Sequence, residues 1–270
     1  MSVKLIYYSV IISASISLIF CILLLIGIIL IKDFHSLSYK LIFYLCLTDM
    51  LTSIAFLLPT STSALCTTQA YLINFSILSS FLYTAVIMHY LKWCIVYEKQ
   101  QSRVLEIYYT LFAWAFPALI SCIPILTESY GDAGGWCWIP VENQIKNSIL
   151  QFFEGFGIAL FVLVFNVYNL LEVNKKLKRD MLNDVENEGI RKKLMNRMVY
   201  YPLVIGICIL PAGVNRVVNF LGKRNEVLEI IAADAQCLMG FGNCVVYGFT
   251  DNLKKRLKIR FANLLEIKKT

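Results

Sequence analysis

Seven long apolar stretches, each about the length of a helix that crosses a lipid bilayer, dominate this chain of 270 residues. A helix rises about 1.5 Å per residue, so about 20 residues cross the hydrocarbon core. With 58% hydrophobic and 16% charged residues, the chain has too few polar side chains to cover a soluble globule. The sequence therefore predicts an all-α membrane protein, a bundle of seven transmembrane helices numbered 1 to 7. These are residues 5–31, 41–60, 66–97, 107–126, 148–171, 198–221 and 227–249.

Basic residues concentrate in the segments that would lie on one side of this bundle. If the amino end is outside, 20 of the 25 Lys and Arg residues fall in cytoplasmic segments and four fall outside. Basic residues in short loops resist translocation, so we predict a multi-pass membrane protein with its amino end outside and its carboxyl end in the cytoplasm. The cationic side faces anionic membrane lipid, so the net charge of +7 requires no nucleic-acid partner.

The segment after helix 7, residues 251–270, combines apolar residues at helical spacing with basic residues between them. The apolar positions are Leu253, Leu257, Phe261, Leu264 and Leu265. This pattern predicts a short amphipathic helix that lies on the inner leaflet, whereas a solvated tail is the alternative. We expect two parts, the bundle in residues 1–250 and the basic tail helix in residues 251–270.

Two of the nine cysteines, Cys66 and Cys137, lie in the predicted outer segments, which face an oxidising compartment. We expect a disulfide between them, which would hold the second outer loop, with Trp136 and Trp138, across the mouth of the bundle. Two free thiols are the alternative. The chain has no CxxC pair and two histidines, so we predict no metal and no cofactor.

Ionisable side chains inside a membrane span are costly and usually face the bundle interior or a wet cavity. Here they are Asp49, Glu154, Arg216, Glu229 and Asp234. Those near the outer ends of helices 5, 6 and 7 predict a ligand pocket between these helices. Its expected contacts are Glu154, Asn215, Arg216, Asn219 and Asp234. The alternative is an ion pair from Arg216 to Asp234 or Glu229 that holds helices 6 and 7 together.

Deeper polar residues predict a second cluster in the bundle. Asp49 of helix 2, Ser79 and Ser80 of helix 3 and Asn243 of helix 7 fall at depths that would let them meet. Tyr247 follows Asn243 by four residues and shares its helix face, and Pro202 and Pro211 favour kinks in helix 6. We interpret four of these residues as a conformational switch, with a static packing node as the alternative. They are Asp49, Pro211, Asn243 and Tyr247.

Other functional classes fit less well. The chain has no HExxH motif and no Ser/His/Asp group at one depth, so we predict that it is not an enzyme. Residues 227–249 contain no lysine for a retinal Schiff base. A transporter or channel that uses the buried carboxylates of Asp49, Glu154 and Asp234 remains the alternative to a receptor.

Several sequence blocks, in order along helices 2 to 7, resemble the cyclic-AMP-receptor-type seven-helix receptors of slime moulds and their plant receptor-like relative. The blocks are KLIFYLCLTDML (40–51), FLYT (81–84), GGWCWI (134–139), NRMVYYPL (196–203), VNRVVNFL (214–221) and LMGFGNCVVYGF (238–249), with Cys66 at the start of helix 3.

The resemblance implies a cell-surface receptor that binds an extracellular small ligand and signals through a heterotrimeric G protein, with the Cys66 to Cys137 bridge as a family feature. The NCVVY segment has Cys244 where rhodopsin-type receptors have proline, and Lys92, Trp93 and Cys94 stand where those receptors have a DRY triplet. The predicted pocket has no excess of positive charge that would bind a phosphate. We therefore do not predict a cyclic nucleotide as the ligand.

Overall fold

The computed structural model describes residues 3–31, 36–99, 102–140, 145–183, 200–220 and 225–248, and the single residues 189, 198, 255 and 258. Nearly all of them are helical. The elements are α1 (Val3–Ile31), α2 (Leu37–Leu57), α3 (Ser63–Ile95), α4 (Arg103–Ser121), α5 (Ile123–Leu126), β1 (Gly131–Asp132), β2 (Cys137–Trp138), α6 (Ile145–Leu150), a π-helix (Gln151–Gly157), α7 (Ile158–Asn183), α8 (Tyr200–Phe220), α9 (Glu226–Cys237), α10 (Met239–Asn243) and a second π-helix (Cys244–Gly248).

Six of these helices are long and apolar enough to cross a membrane. The last helical pair, Glu226–Cys237 and Met239–Gly248, bends by 45° and gives a seventh span if the pair is one span. The structure thus confirms an all-α membrane bundle. Helices 1 to 3 correspond to α1 to α3, helix 4 is α4 with α5, helix 5 runs from α6 to α7, helix 6 is α8, and helix 7 is the bent pair.

Helix 3 is the central helix of the bundle. In its most apolar stretch 78% of the residues are buried, against 22% for helices 4 and 5. Its side chains Leu78, Tyr83 and Met88 lie in the main core with Leu41 and Ile205 from helices 2 and 6. The exposed apolar side chains of the outer helices face the surroundings of the bundle, where a bilayer would cover them.

Side-chain caps explain where two of the helices begin. The Thr62 hydroxyl accepts a hydrogen bond from the backbone N–H of Leu65 at 3.2 Å, and the Asn225 amide oxygen accepts one from Leu228 at 3.1 Å. Both satisfy donors that the first turn of a helix leaves without partners. Helices 3 and 7 therefore start close to the predicted positions. Helix 6 continues through Pro211 without a break.

A short antiparallel hairpin of β1 and β2 marks one end of the bundle, which we call the hairpin end. Gly131 pairs with Trp138, and Asp132 pairs with Cys137. The Trp136 side chain packs with Ile6 of helix 1 in a small apolar cluster. The hairpin therefore lies against the bundle.

Helix 5 is longer than the sequence predicts. The apolar stretch covers residues 148–171, but the helix extends to Asn183. Its last turns are polar, so hydropathy alone does not mark them. The predicted tail helix, residues 251–270, lies outside the described residues apart from 255 and 258. The tail helix and the division of the chain into two parts therefore stay predictions.

Candidate functional site

The hairpin is tied to the start of helix 3. Cys66, in the first turn of that helix, and Cys137, in β2, form a disulfide. The backbone N–H of Cys137 also donates to the side-chain oxygen of Gln69 at 2.6 Å, and the Gln69 amide nitrogen donates to the Leu58 carbonyl at 3.0 Å. The predicted disulfide is confirmed, and Gln69 adds a buried polar anchor that was not predicted from the sequence.

A small cleft lies beside this hairpin. Helix 3 supplies most of one wall, and helices 5, 6 and 7 contribute the others. Its polar side chains and tryptophans are Asn74, Trp136, Trp138, Glu154, Arg216 and Gln236. Apolar side chains complete the lining, so the few polar groups fix what the cleft can bind.

One asparagine organises the polar side of the cleft. The Asn74 amide nitrogen donates to Glu154 Oε2 at 2.8 Å and to Ser121 Oγ at 3.2 Å. Its amide oxygen accepts from the Trp138 indole N–H at 3.3 Å. Asn74 thus joins helix 3, helix 5 and the hairpin through one side chain.

The Glu154 carboxylate is half satisfied. The residue is 3% exposed, and among the described residues its Oε1 has no hydrogen-bond partner. Nearby Tyr130, between helix 4 and β1, donates to the Ser121 carbonyl at 3.0 Å. Burial, together with the negative charge of Glu154, raises the pKa of Tyr130, so this phenol stays protonated.

Arg216 faces the same cleft from helix 6. Its guanidinium carbon lies 4.7 Å from the centre of the Trp138 ring, which is cation–π geometry. The cleft therefore holds one basic and one acidic side chain. Trp138 contacts Arg216 directly and is linked to Glu154 through Asn74.

A π-helical segment, Gln151–Gly157, places Glu154 on the buried face of helix 5. Glycines allow the close packing around it. A Cβ on Gly155 would lie 3.4 Å from the Trp138 ring, and a Cβ on Gly213 of helix 6 would lie 2.5 Å from Phe156. Single π-helical turns recur at functional sites, and here the turn stands where the two charged side chains meet the hairpin.

The predicted ligand residues do not all meet in this cleft. Glu154 and Arg216 do, whereas Asn215 is buried beside the cleft without lining it. The structure describes no side-chain position for Asn219. Helix 3, absent from the predicted pocket, contributes Asn74.

Asp234 points to helix 1 instead of to Arg216. Its Oδ1 accepts a hydrogen bond from Ser13 Oγ at 3.0 Å, and its Oδ2 accepts one from Ser9 Oγ. Both Arg216 and Asp234 are described, and they form no ion pair with each other. The Asp234 form of the alternative is therefore wrong, because two serine hydroxyls satisfy that carboxylate, whereas a pairing of Arg216 with Glu229 stays a prediction.

The predicted deep polar cluster forms. Ser80 Oγ donates to Asp49 Oδ1 at 2.6 Å, and the Asn243 amide nitrogen donates to Asp49 Oδ2 at 2.9 Å. All three residues are almost fully buried. Ser79 is buried as well, but among the described residues its hydroxyl has no partner. Helices 2, 3 and 7 are thus joined at one carboxylate.

The other predicted switch residues lie on helices 6 and 7. Tyr247 stacks on Tyr201 of helix 6, with ring centres 4.4 Å apart and ring planes 14° apart. Helix 7 bends at Leu238, and the N–H of Phe241, just beyond the bend, donates to Ser17 Oγ of helix 1 at 3.1 Å. The bend was not predicted from the sequence, although Gly240 lies next to it.

The role of Asp49, Pro211, Asn243 and Tyr247 as a conformational switch stays a prediction.

Asn74 and Gln236 are the polar cleft residues that were not predicted from the sequence. Each is an uncharged polar residue within an apolar helix, whereas the predicted pocket was built around charged side chains. A search for buried amides would have marked Asn74, because an amide in a membrane span needs a partner.

The sequence of the whole bundle, including the cleft and the deep cluster, matches one known family. The sequence profile described as slime mold cyclic AMP receptor matches residues 1–265 of the chain. The chain belongs to this family. The resemblance seen in the helix 2 to helix 7 blocks is confirmed, and the chain is a multi-pass membrane protein of a receptor family.

Members of the slime mold cyclic AMP receptor family and a plant protein are among the curated relatives. The chain is 25% identical to G-protein coupled receptor 1 of Arabidopsis thaliana over 86% of this chain and 74% of that protein. It is 24% identical to cyclic AMP receptor-like protein A of Dictyostelium discoideum, and 22% identical to cyclic AMP receptor 1 of the same organism. Those two matches cover 92% and 71% of this chain, and 64% and 48% of the relatives. The chain thus spans less than two thirds of these two Dictyostelium proteins.

Proposed function

We propose that this chain is a cell-surface receptor that binds a small extracellular ligand in the cleft beside the hairpin and signals to a cytoplasmic heterotrimeric G protein. Family membership supports the receptor role. The names of the relatives support the G-protein partner, since one of them is a G-protein coupled receptor.

The observation that carries the proposal is the half-satisfied Glu154 carboxylate in the cleft. A buried acceptor without a partner costs about 1–3 kcal/mol, and Oε1 is such an atom among the described residues. A ligand that donates a hydrogen bond or carries a positive charge would remove this cost. Arg216, held over Trp138, offers a second contact of the opposite sign.

This pair of charges bears on the identity of the ligand. A cyclic nucleotide, which the names of several relatives mention, carries a negative phosphate. Arg216 would attract that group and Glu154 would repel it, so the cleft provides no net positive charge for it. The lining instead favours a small ligand that has both a cationic or donor group and an anionic or acceptor group.

The same helices connect the cleft to the deep cluster. Helix 7 carries Gln236 in the cleft and Asn243 beside Asp49. Helix 6 carries Arg216 in the cleft and Tyr201 against Tyr247. A ligand that binds one arrangement of helices 6 and 7 more tightly than another would increase the population of that arrangement, including at the end of the bundle opposite the hairpin. That end would present the surface for the G protein.

The proposed direction of the signal depends on the orientation of the bundle. We place the hairpin end outside the cell, because the disulfide belongs to an oxidising compartment. The excess of Lys and Arg on the opposite side supports this placement. Insertion in the plasma membrane is part of the same proposal.

The test is a ligand screen on purified receptor reconstituted with heterotrimeric G proteins, read out as guanine-nucleotide exchange. The probes are cyclic AMP and a panel of small zwitterionic amines and amino acids. We expect at least one zwitterion to stimulate exchange, and Glu154→Gln and Arg216→Ala to lower its potency at least about tenfold. The control is Asn169→Ala, which removes a buried amide remote from the cleft.

A transporter or channel is the competing function, and it has a separate readout. Asp49, Glu154 and Asp234 belong to three separate hydrogen-bonded groups, and no described hydrogen bond joins one group to another. Ion or proton flux in proteoliposomes, with no exchange for any ligand, would replace the receptor proposal by this one.

A further inference from the structure

Three cysteines from three different helices meet in the core of the bundle. Cys21 of helix 1, Cys46 of helix 2 and Cys244 of helix 7 are each at most 2% exposed. The sulfur atoms of Cys21 and Cys244 are 3.7 Å apart, and those of Cys46 and Cys244 are 3.9 Å apart. All three sulfurs lie within 4.8 Å of one another. We call these residues the thiol triad.

These distances fit a metal ion at the centre of the triad. A point equidistant from three sulfurs at these separations lies at most about 2.5 Å from each, and a zinc–thiolate bond is about 2.3 Å long. The ion would sit in the plane of the sulfurs, so no separate cavity is required. Sequence spacing argued against metal chemistry because the ligands are 25 and 198 residues apart in the chain.

We propose that the thiol triad is a binding site for a soft, thiophilic cation, Cu(I), that joins helices 1, 2 and 7. Sulfur ligands select soft ions. Structural zinc takes four ligands in nearly all cases, whereas the triad offers three. Each cysteine binds the ion as its thiolate, so binding by all three releases three thiol protons, with no change of oxidation state.

The surroundings of the triad are those of a sealed metal site. Leu24, Leu25 and Ile28 of helix 1 pack around the three cysteines. The Cys46 thiol donates to the Cys21 carbonyl at 3.2 Å, which orients its sulfur toward helix 1. An apolar shell of this kind keeps water from competing for the ion. Ordinary packing of small apolar cysteines would not require sulfur at all three positions.

Metal binding at the triad would act on helix 7 next to the deep cluster. Cys244 follows Asn243 directly, and Asn243 donates to Asp49. An ion held by helices 1, 2 and 7 would therefore favour the helix 7 position in which this hydrogen bond forms. The site goes beyond the proposed function and does not depend on it.

The test is a titration of purified receptor, in which the Cys66 to Cys137 disulfide is intact and the other cysteines are reduced, with Cu(I) in competition with a chromophoric Cu(I) chelator. We expect one tightly bound ion per chain. Loss of an outer-shell partner lowers metal affinity about 10- to 100-fold, so loss of a direct ligand in Cys21→Ala, Cys46→Ala or Cys244→Ala should cost at least about 100-fold. The matched controls are Cys208→Ala and Cys237→Ala, which remove buried free cysteines outside the triad.

A second readout keeps the result independent of folding defects. Ag(I), a redox-inert stand-in for Cu(I), should slow alkylation of Cys21, Cys46 and Cys244 in the wild-type chain, while Cys208 and Cys237 are unaffected. If an alanine variant does not fold, the corresponding serine variant replaces it. Unchanged Cu(I) affinity in all three triad variants overturns the proposal. So does binding of Zn²⁺ without Cu(I), or equal protection of all five cysteines.

Discussion

The guanidinium of Arg216 lies 4.7 Å from the ring centre of Trp138, while Asp234 is held by two serines of helix 1. The positive charge of helix 6 is thus oriented by an aromatic side chain of the hairpin and not by Asp234 of helix 7. Arg216 is consequently available to a ligand without the breaking of an ion pair to Asp234.

This arrangement predicts that Arg216 and Asp234 are energetically independent. Arg216→Ala and Asp234→Asn share no partner, so their effects on the free energy of unfolding should add to within about 0.5 kcal/mol. Thermal unfolding of the two single variants and the double variant in lipid nanodiscs measures this. Recovery of stability in the double variant would instead show the ion pair.

The deep cluster should be sensitive to loss of the Asn243 amide. Asn243→Ala leaves Asp49 Oδ2 buried without its donor, so we expect a loss of about 1–3 kcal/mol in the free energy of unfolding. Asn166→Ala is the control, because this equally buried amide donates to the neutral Thr84 hydroxyl. Measured by the same thermal unfolding, a larger loss in the control would contradict the role of Asp49 in this cluster.

The glycine at the helix 7 bend should not tolerate a methyl group. A Cβ on Gly240 would lie 2.5 Å from Ser17 Oγ and 2.9 Å from Asp49 Cβ. We expect Gly240→Ala to destabilise the protein by about 1–3 kcal/mol. Gly206→Ala of helix 6 meets nothing within 4 Å and should be neutral or stabilising by about 0.5–1 kcal/mol. Both are measured by thermal unfolding, and equal shifts would contradict the close packing at Gly240.

The disulfide should contribute to stability through the length of chain that it closes. Cys66 and Cys137 are 71 residues apart, and a loop of that size predicts about 2–5 kcal/mol. The double change Cys66→Ser with Cys137→Ser should lower the thermal midpoint, while Cys122→Ser, a free cysteine, should not. Non-reducing mass spectrometry of the wild-type protein that finds two free thiols would reject the bridge.

The predicted topology can be tested in whole cells. A tag after Thr270 should react with antibody only after permeabilisation, because the basic segments are retained in the cytoplasm. A tag in the hairpin, after Gly134, should react in intact cells. Labelling of the Thr270 tag in intact cells would reverse the proposed orientation.

The fold could be predicted closely from hydropathy, whereas the site could be predicted only in part. Apolar length and polar caps such as Thr62 and Asn225 are local properties, so they mark helices directly. The positions of Asp49, Ser80 and Asn243 along their helices also predicted correctly that the three residues lie at the same depth in the bundle. The rotation of each helix is not local, however. The turn of Asp234 toward helix 1 and the meeting of Cys21 with Cys244 depend on how helices pack, which residue spacing does not reveal.

Helix 5 combines a π-helical segment at the cleft with an unbroken α-helix, Ile158–Asn183, of 26 residues. That rod is about 39 Å long, which is more than the hydrocarbon thickness of about 30 Å. A rotation of about 5° around the π-helical segment would move its far end by about 3 Å. A small angular change at the segment that carries Glu154 would therefore produce a larger displacement at the opposite end of helix 5.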